Sequence, residues 1–213
     1  MALNFLLRTI VDNSGFVRTT TRFFANRGIS PNVLSLLSLV FAALAGLLFG
    51  LSRTSMSFNL FLLVAGVFVC LNAVLDGLDG LVAREIGNAS RKGDFLDHVV
   101  DRYSDVFIIG GIVFGGYAGW QIGVVAIIGV LLSSYMGTQA QAVGLSRMYG
   151  GLLGRADRMI LIIAATALTL VYPYPIPASG LVSLSFLGWA LLVFALVCNA
   201  TALQRFVYTW RRL

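Results

Sequence analysis

Six stretches of the 213-residue chain are dominated by apolar side chains, at 33–51, 58–75, 95–117, 122–136, 159–172 and 181–203, with short polar breaks between them. Several approach the roughly 20 residues that a helix needs to cross a bilayer. The pattern predicts an all-α fold: an integral membrane bundle of six transmembrane helices. Ser30 and Pro31 suit the start of the first helix, with Ser30 as cap and Pro31 in the first turn. The second run flows without a breaker into Asp76, so its helix continues past the apolar part. Residues 87–90 read as a turn, and the third helix then begins near Asp94. The segment 172–177, YPYPIP, reads as a rigid external loop with interfacial aromatics.

Residues 1–30 mix Phe5, Leu6, Phe16, Phe23 and Phe24 with arginines. Such a mixture predicts an N-terminal amphipathic helix, either lying in the membrane interface or packed on the bundle with a solvated face. The first ten residues have too short an apolar core for a secretory signal, so no targeting segment is expected to be removed. Without a repeat or a second domain, 1–213 reads as a single membrane domain, with 1–30 the interfacial region and 31–205 the bundle.

Composition agrees: 58% of residues are hydrophobic, 11% are charged, and the mean hydropathy is +0.89. A net charge of +6 would suggest nucleic acid in a soluble protein. Here 13 of the 15 basic residues instead fall before the first run, between the second and third, between the fourth and fifth, and after the sixth. Only Arg53 lies on the other side, and Arg102 lies inside the third helix. The positive-inside rule then puts both termini on the cytoplasmic face of a multi-pass protein, and no nucleic-acid partner is expected. Cys70 and Cys198 sit in apolar runs and read as small packed hydrophobes.

The acidic residues are far less evenly spread. Seven of nine lie between Asp76 and Asp105. An ionised carboxylate at the level of the bilayer costs roughly 2.5 to 3.5 kcal/mol on insertion scales, so Asp76, Asp79, Asp97, Asp101 and Asp105 require cations. On a helix Asp76, Asp79, Gly80 and Ala83 share one face, with two carboxylates beside two small residues. Asp97, Asp101 and Asp105 line one face of the next helix. Two such faces turned together make a carboxylate cluster. Aspartates are hard donors suited to Mg2+, Mn2+ or Ca2+, and the sequence has no His/Cys grouping for zinc. A pair of divalent ions would clamp a phosphate group. Arg84, about 12 Å of helix rise beyond Asp76, could add a bidentate phosphate contact near the mouth.

The spacing of Asp76, Asp79, Gly80, Ala83, Arg84, Gly93, Asp97 and Asp101 resembles the signature of the CDP-alcohol phosphatidyltransferases, with every fixed position filled. The motif spans 76–101, and the six predicted helices resemble the family fold over nearly the whole chain. The resemblance implies attack of an alcohol on the β-phosphorus of a CDP-linked lipid with release of CMP, supported by two divalent ions, Mg2+ or Mn2+. It also implies that Asp76, Asp79 and Asp97 are metal ligands, and that Asp101 contributes to the metal site and deprotonates the acceptor hydroxyl. Gly80, Ala83, Arg84, Ser90 and Gly93 are implied to surround the CDP-lipid, with Pro31 and Asn32 nearby. A homodimer embedded among membrane lipids is implied as well.

Other residues carry two readings. Asp105 lies outside the signature and reads equally as a structural hydrogen bonder or as support for the site. His98 reads as a packed imidazole, and Asp94 as a cap or first-turn charge. Arg147, Arg155 and Arg158 are positive-inside anchors or a pocket for an anionic acceptor such as a polyol phosphate. The segment 154–158, GRADR, is similar to the paired-basic segment of family members that use inositol phosphate. Those members also carry basic residues after a Ser-Tyr pair on the fourth helix, whereas Ser134 and Tyr135 here precede neutral MGTQAQA. Inositol phosphate, another polyol or serine therefore stays open as acceptor, and CDP-diacylglycerol or CDP-archaeol as donor. A reading from another class is a cation transporter with intramembrane aspartates. Its outer loops would lack any acidic residue.

Overall fold

The computed structural model describes residues 15–53, 59–87, 90–146, 148, 150–178 and 182–213. Within these, the helices are α1 (Gly15–Asn26), α2 (Pro31–Ser52), α3 (Leu60–Glu85), α4 (Arg91–Phe114), α5 (Trp120–Ala142), α6 (Arg155–Val171) and α7 (Phe186–Trp210). A short antiparallel pair, β1 (Ile176–Ala178) and β2 (Val182–Leu184), joins α6 to α7, with Ile176 opposite Leu184 and Pro177 opposite Ser183.

Four helices, α2, α3, α5 and α7, are long and apolar enough to cross a membrane. The other two predicted spans differ for physical reasons. The first two-thirds of α4 carry the acidic residues and Arg102, and α6 has 17 residues. The run expected to start a helix at 181 instead enters β2, and α7 starts at Phe186, where the Ser185 hydroxyl accepts the Gly188 N–H at 3.2 Å. Part of the expected external loop, Ile176 and Pro177, is thus strand. Ser30 occupies the N-cap position of α2 without a side-chain bond, so Pro31, at a position needing no N–H, is the feature that suits this start. Ser90 does cap α4, accepting the Gly93 N–H at 3.1 Å, while Asp94 stands in the first turn.

Successive helices from α2 to α7 reverse direction, as the pairs 35–79 and 38–72, 46–111 and 32–93, and 66–166 and 76–155 show. Packing is densest where α2 lies between α3 and α4; α3 also meets α6, and α5 meets α7. Phe49, Val69, Ile108, Ile112, Ile162 and Leu191 are among the buried apolar core residues. Backbones come together where α2 crosses α4: a Cβ at Gly46 would strike the Phe107 carbonyl, and one at Gly111 would strike Gly46. Glycine permits this approach, as in other tightly packed membrane helices. Large apolar side chains such as Leu47, Leu60, Phe114 and Leu203 are exposed around the bundle.

The end of the bundle away from the aspartates is closed by polar contacts. The Tyr117 and Ser52 hydroxyls are 2.7 Å apart, and Asn59 caps α3 by accepting the Leu62 N–H at 3.2 Å. In α7, a π-helical turn at Phe194–Cys198 precedes Asn199, whose amide donates to the Val125 carbonyl of α5 at 3.0 Å. Near its C-terminal end, Arg205 donates to Gly150 O at 2.8 Å and to Ser133 O, tying the α5–α6 connection to α7.

Candidate active site

Helix α3 continues through Asp76 to Glu85 because no proline interrupts it, and it carries Asp76, Asp79, Gly80, Ala83 and Arg84 to one end of the bundle. After the turn, the Ser90 cap starts α4 and sets Asp97, Asp101 and Asp105 along the facing helix. One carboxylate oxygen each from Asp76, Asp79 and Asp97 lie within 4.8 Å of one another. Asp97, His98 and Asp101 form a second such group, so Asp97 belongs to both. Asp97 thus links the two groups that contain the four motif aspartates.

The site is substantially buried: Asp79, Asp101 and Asp105 are closed off from solvent. Compensation comes from guanidinium groups. Arg155, at the start of α6, sits with Nη2 3.0 Å from Asp76 Oδ1 and with Nη1 against Asp101 Oδ1. Arg158, one turn further on, donates to Asp105 Oδ2 at 2.8 Å, with both side chains buried. Arg102 Nη2 is 3.3 Å from Asp101 and 3.6 Å from Asp105. Both readings of Asp105 now have a geometric content, since it clamps α4 to α6 and adjoins the same arginine as Asp101. Arg155 and Arg158 are engaged by carboxylates rather than lining an open surface, and Arg147 lies outside the described residues.

Five clustered carboxylates face three guanidinium groups, which leaves two formal negative charges when all are ionised. Asp76 Oδ1 and Asp101 Oδ1 are buried and accept no aligned hydrogen bond despite the nearby Arg155. Closely grouped carboxylate oxygens that carry excess negative charge fit hard divalent cations. The donor sets that could hold them are Asp76, Asp79 and Asp97, and Asp97 with Asp101. His98 belongs to the second group, with Nδ1 3.7 Å from Asp97 and Nε2 3.5 Å from Asp94.

Around the carboxylates, Gly80 is exposed, and a Cβ there would meet nothing within 4 Å. Packing therefore leaves that face of α3 open. A Cβ on Gly93 would come 3.4 Å from Asn32 Oδ1 and 3.4 Å from Ser90 Oγ, which brings the starts of α2 and α4 together. Arg84 lies in a groove of about 390 Å³ between α1 and α3, with Arg18, Thr21, Arg22 and Glu85; Arg22 pairs with Glu85 at 3.5 Å. The sequence reading missed Ser35, whose hydroxyl donates to Asp79 Oδ2 at 2.5 Å. It also missed the pairing of Arg155 with the motif aspartates, because neither helix-to-helix register is written in local spacing.

The profile described as CDP-alcohol phosphatidyltransferase matches residues 28–205. Archaetidylinositol phosphate synthase of Pyrococcus horikoshii is 34% identical over 142 residues, 67% of this chain and 71% of that protein. Phosphatidylinositol phosphate synthase of Streptomyces avermitilis is 30% identical over 211 residues, 92% of this chain and 80% of that protein. Among solved structures, Mycobacterium tuberculosis phosphatidylinositol phosphate synthase with CDP-DAG bound superposes with a TM-score of 0.71 at 24% identity, covering 90% of this chain and 92% of that one. The same enzyme in complex with manganese and citrate gives a TM-score of 0.72 at 24% identity, covering 90% and 88%. At that identity the likeness shows a shared fold.

Proposed function

This chain belongs to the CDP-alcohol phosphatidyltransferase family, and from that premise we propose that it transfers a phosphatidyl-type or archaetidyl-type group from a CDP-linked lipid to a small hydroxylated acceptor. The observation that carries this reading is the convergence of Asp76, Asp79, Asp97 and Asp101 from two helices into one partly buried carboxylate cluster. In the reaction, the acceptor oxygen bonds to the β-phosphorus of the donor and its proton passes to the Asp101 carboxylate. The bond from that phosphorus to the oxygen bridging it to CMP breaks, and CMP leaves.

Asp76, Asp79 and Asp97 would hold one divalent ion, Mg2+ or Mn2+, and Asp97 with Asp101 a second. Bound there, such ions supply positive charge for the diphosphate and lower the pKa of a nearby hydroxyl. Gly80 and Ala83 leave room for the donor beside α3, and Arg84 is the cation for its phosphates. Ser90 and Gly93 shape the start of α4, with Pro31 and Asn32 alongside. The names of the relatives favour a polyol phosphate such as inositol phosphate as acceptor. Arg155 and Arg158 are the cations nearest the cluster, and to bind such an anion they would exchange a carboxylate partner, Asp76 or Asp101 for Arg155 and Asp105 for Arg158, with Arg147 a further candidate. The transporter reading lacks a path: beyond Asp105, α4 continues as an apolar helix to Phe114.

The reading includes a single membrane domain over 1–213, with 1–30 interfacial. It has six spans, α4 and α6 joining the four long apolar helices, and termini and site on the cytoplasmic side. Two copies associate. Crosslinking in native membranes should yield a dimer, and a monomer alone would contradict that association. An impermeant thiol reagent should reach a cysteine added at the C-terminus only from the cytoplasmic face; labelling from outside would reverse the topology. For the chemistry, purified protein in lipid nanodiscs with CDP-diacylglycerol or CDP-archaeol, Mn2+ and a panel of inositol phosphate, glycerol 3-phosphate and serine is monitored for CMP. Asp101→Asn should lower turnover by about 10²-fold to 10⁴-fold, the usual contribution of a positioned base, while the protein stays folded. Full turnover by that variant would refute the assignment.

A further inference from the structure

We infer that Ser35 is a positioning residue for the carboxylate of Asp79, fixing which of its oxygens is left for a divalent cation. The inference rests on the function proposed above and extends it to a residue of α2 outside the motif. Ser35 and Asp79 are both buried, and the hydroxyl donates to Asp79 Oδ2 at 2.5 Å. The same hydroxyl lies 3.3 Å from the Pro31 carbonyl one turn back on α2. A serine has a single hydroxyl proton. The shorter contact, to a charged acceptor, takes it, since charge-assisted bonds are both shorter and stronger. The Pro31 carbonyl marks the rotamer that aims the side chain along the seam.

The seam itself is held by a second clamp on the same faces. Asn72, two helical turns before Asp79 on α3, donates from Nδ2 to the Ser38 carbonyl at 2.9 Å, and Ser38 Oγ donates to the Ser35 carbonyl at 2.7 Å. Asn72 and Ser38 are wholly buried. The antiparallel pair α2 and α3 is therefore pinned in register on one side of Ser35 by a bond that does not involve the cluster. With its backbone pinned there, Ser35 meets Asp79 as a fixed donor. An alanine at this position would leave Oδ2 without that donor and free the carboxylate to rotate. Hydrogen-bonded partners that orient ligating carboxylates change metal affinity by about 10-fold to 100-fold when removed.

The test measures Mn2+ alone, without substrate, binding to the full-length protein in nanodiscs, with free ion read by electron paramagnetic resonance. Ser35→Ala should raise the dissociation constant for Mn2+ about 10-fold or more, with the protein still folded and its metal-free unfolding midpoint lowered by the loss of a donor to a buried carboxylate. Ser38→Ala, which removes an equally buried hydroxyl of the same seam that does not touch the cluster, should leave Mn2+ affinity within about twofold of the parent. Unchanged affinity in Ser35→Ala, or equal weakening in Ser38→Ala, overturns the inference while leaving the proposed function standing. A parent protein that binds no Mn2+ overturns the metal-dependent function itself, and this inference with it.

Discussion

Gly80 has open space where its Cβ would be, although it stands one residue from a buried metal-ligand candidate. Nothing in the fold needs a glycine there, because its backbone is ordinary helix and no neighbour approaches. Under the proposed function, the missing side chain leaves room for the donor. Gly80→Val should fold with an unchanged unfolding midpoint and raise the KM for the CDP-lipid by roughly 10-fold or more, the scale on which a misplaced apolar group discriminates in a pocket. Steady-state CMP release against donor concentration checks this; an unaltered KM would remove Gly80 from the donor site. The aspartates were legible at this scale because i, i+3 and i+4 spacing alone decides that they share a helix face. Ser35 was not legible, since a lone serine one turn into an apolar helix looks like many others until α2 is docked on α3.

Helix-to-helix contact has its own sharp signature in the glycines of α4. Gly111 lies against the backbone of Gly46, whereas the adjacent Gly110 has no neighbour within 4 Å of a Cβ. Gly111→Ala should therefore separate α2 from α4 and cost about 1 to 3 kcal/mol, as overpacking of a tight contact does. Gly110→Ala should be neutral or slightly stabilising, because alanine is the better helix former. Thermal or denaturant unfolding of the two variants in the same detergent distinguishes them; equal effects would mean that the α2–α4 crossing is not as close as described. The sequence places glycines at 110, 111 and 115 but does not say which of them faces which helix. The same crossing sets the distance between the α2 and α4 elements of the site.

Charge is the property that only the whole molecule balances. The carboxylates of α3 and α4 meet Arg155 and Arg158 of α6, and the Arg158–Asp105 bond joins residues 53 apart in the chain. Two formal negative charges remain in a largely buried cluster, so cations that bind the folded state should stabilise it in proportion to RT ln(1 + [L]/Kd). Added Mn2+ at about 100 times its dissociation constant should contribute about 2.7 kcal/mol, seen as a higher unfolding midpoint that a chelator reverses. Asp79→Asn should blunt the response. A midpoint indifferent to Mn2+ and chelator would speak against cations as the missing charge.

Local patterning was enough to dictate the helices and the acidic faces: long apolar runs must satisfy their backbone internally within lipid, and side chains three or four apart must share a face. The resemblance carried by the fixed spacing of the motif implied donor-side roles for Gly80 and Arg84, which spacing by itself does not show. What answers the carboxylates depended on tertiary packing, because Arg155, Arg158 and Ser35 reach the cluster from helices distant in sequence. Register between helices arises from the shape of whole surfaces packing together. A one-dimensional pattern does not contain that shape, so the compensating cations and the serine beneath Asp79 became apparent only in three dimensions.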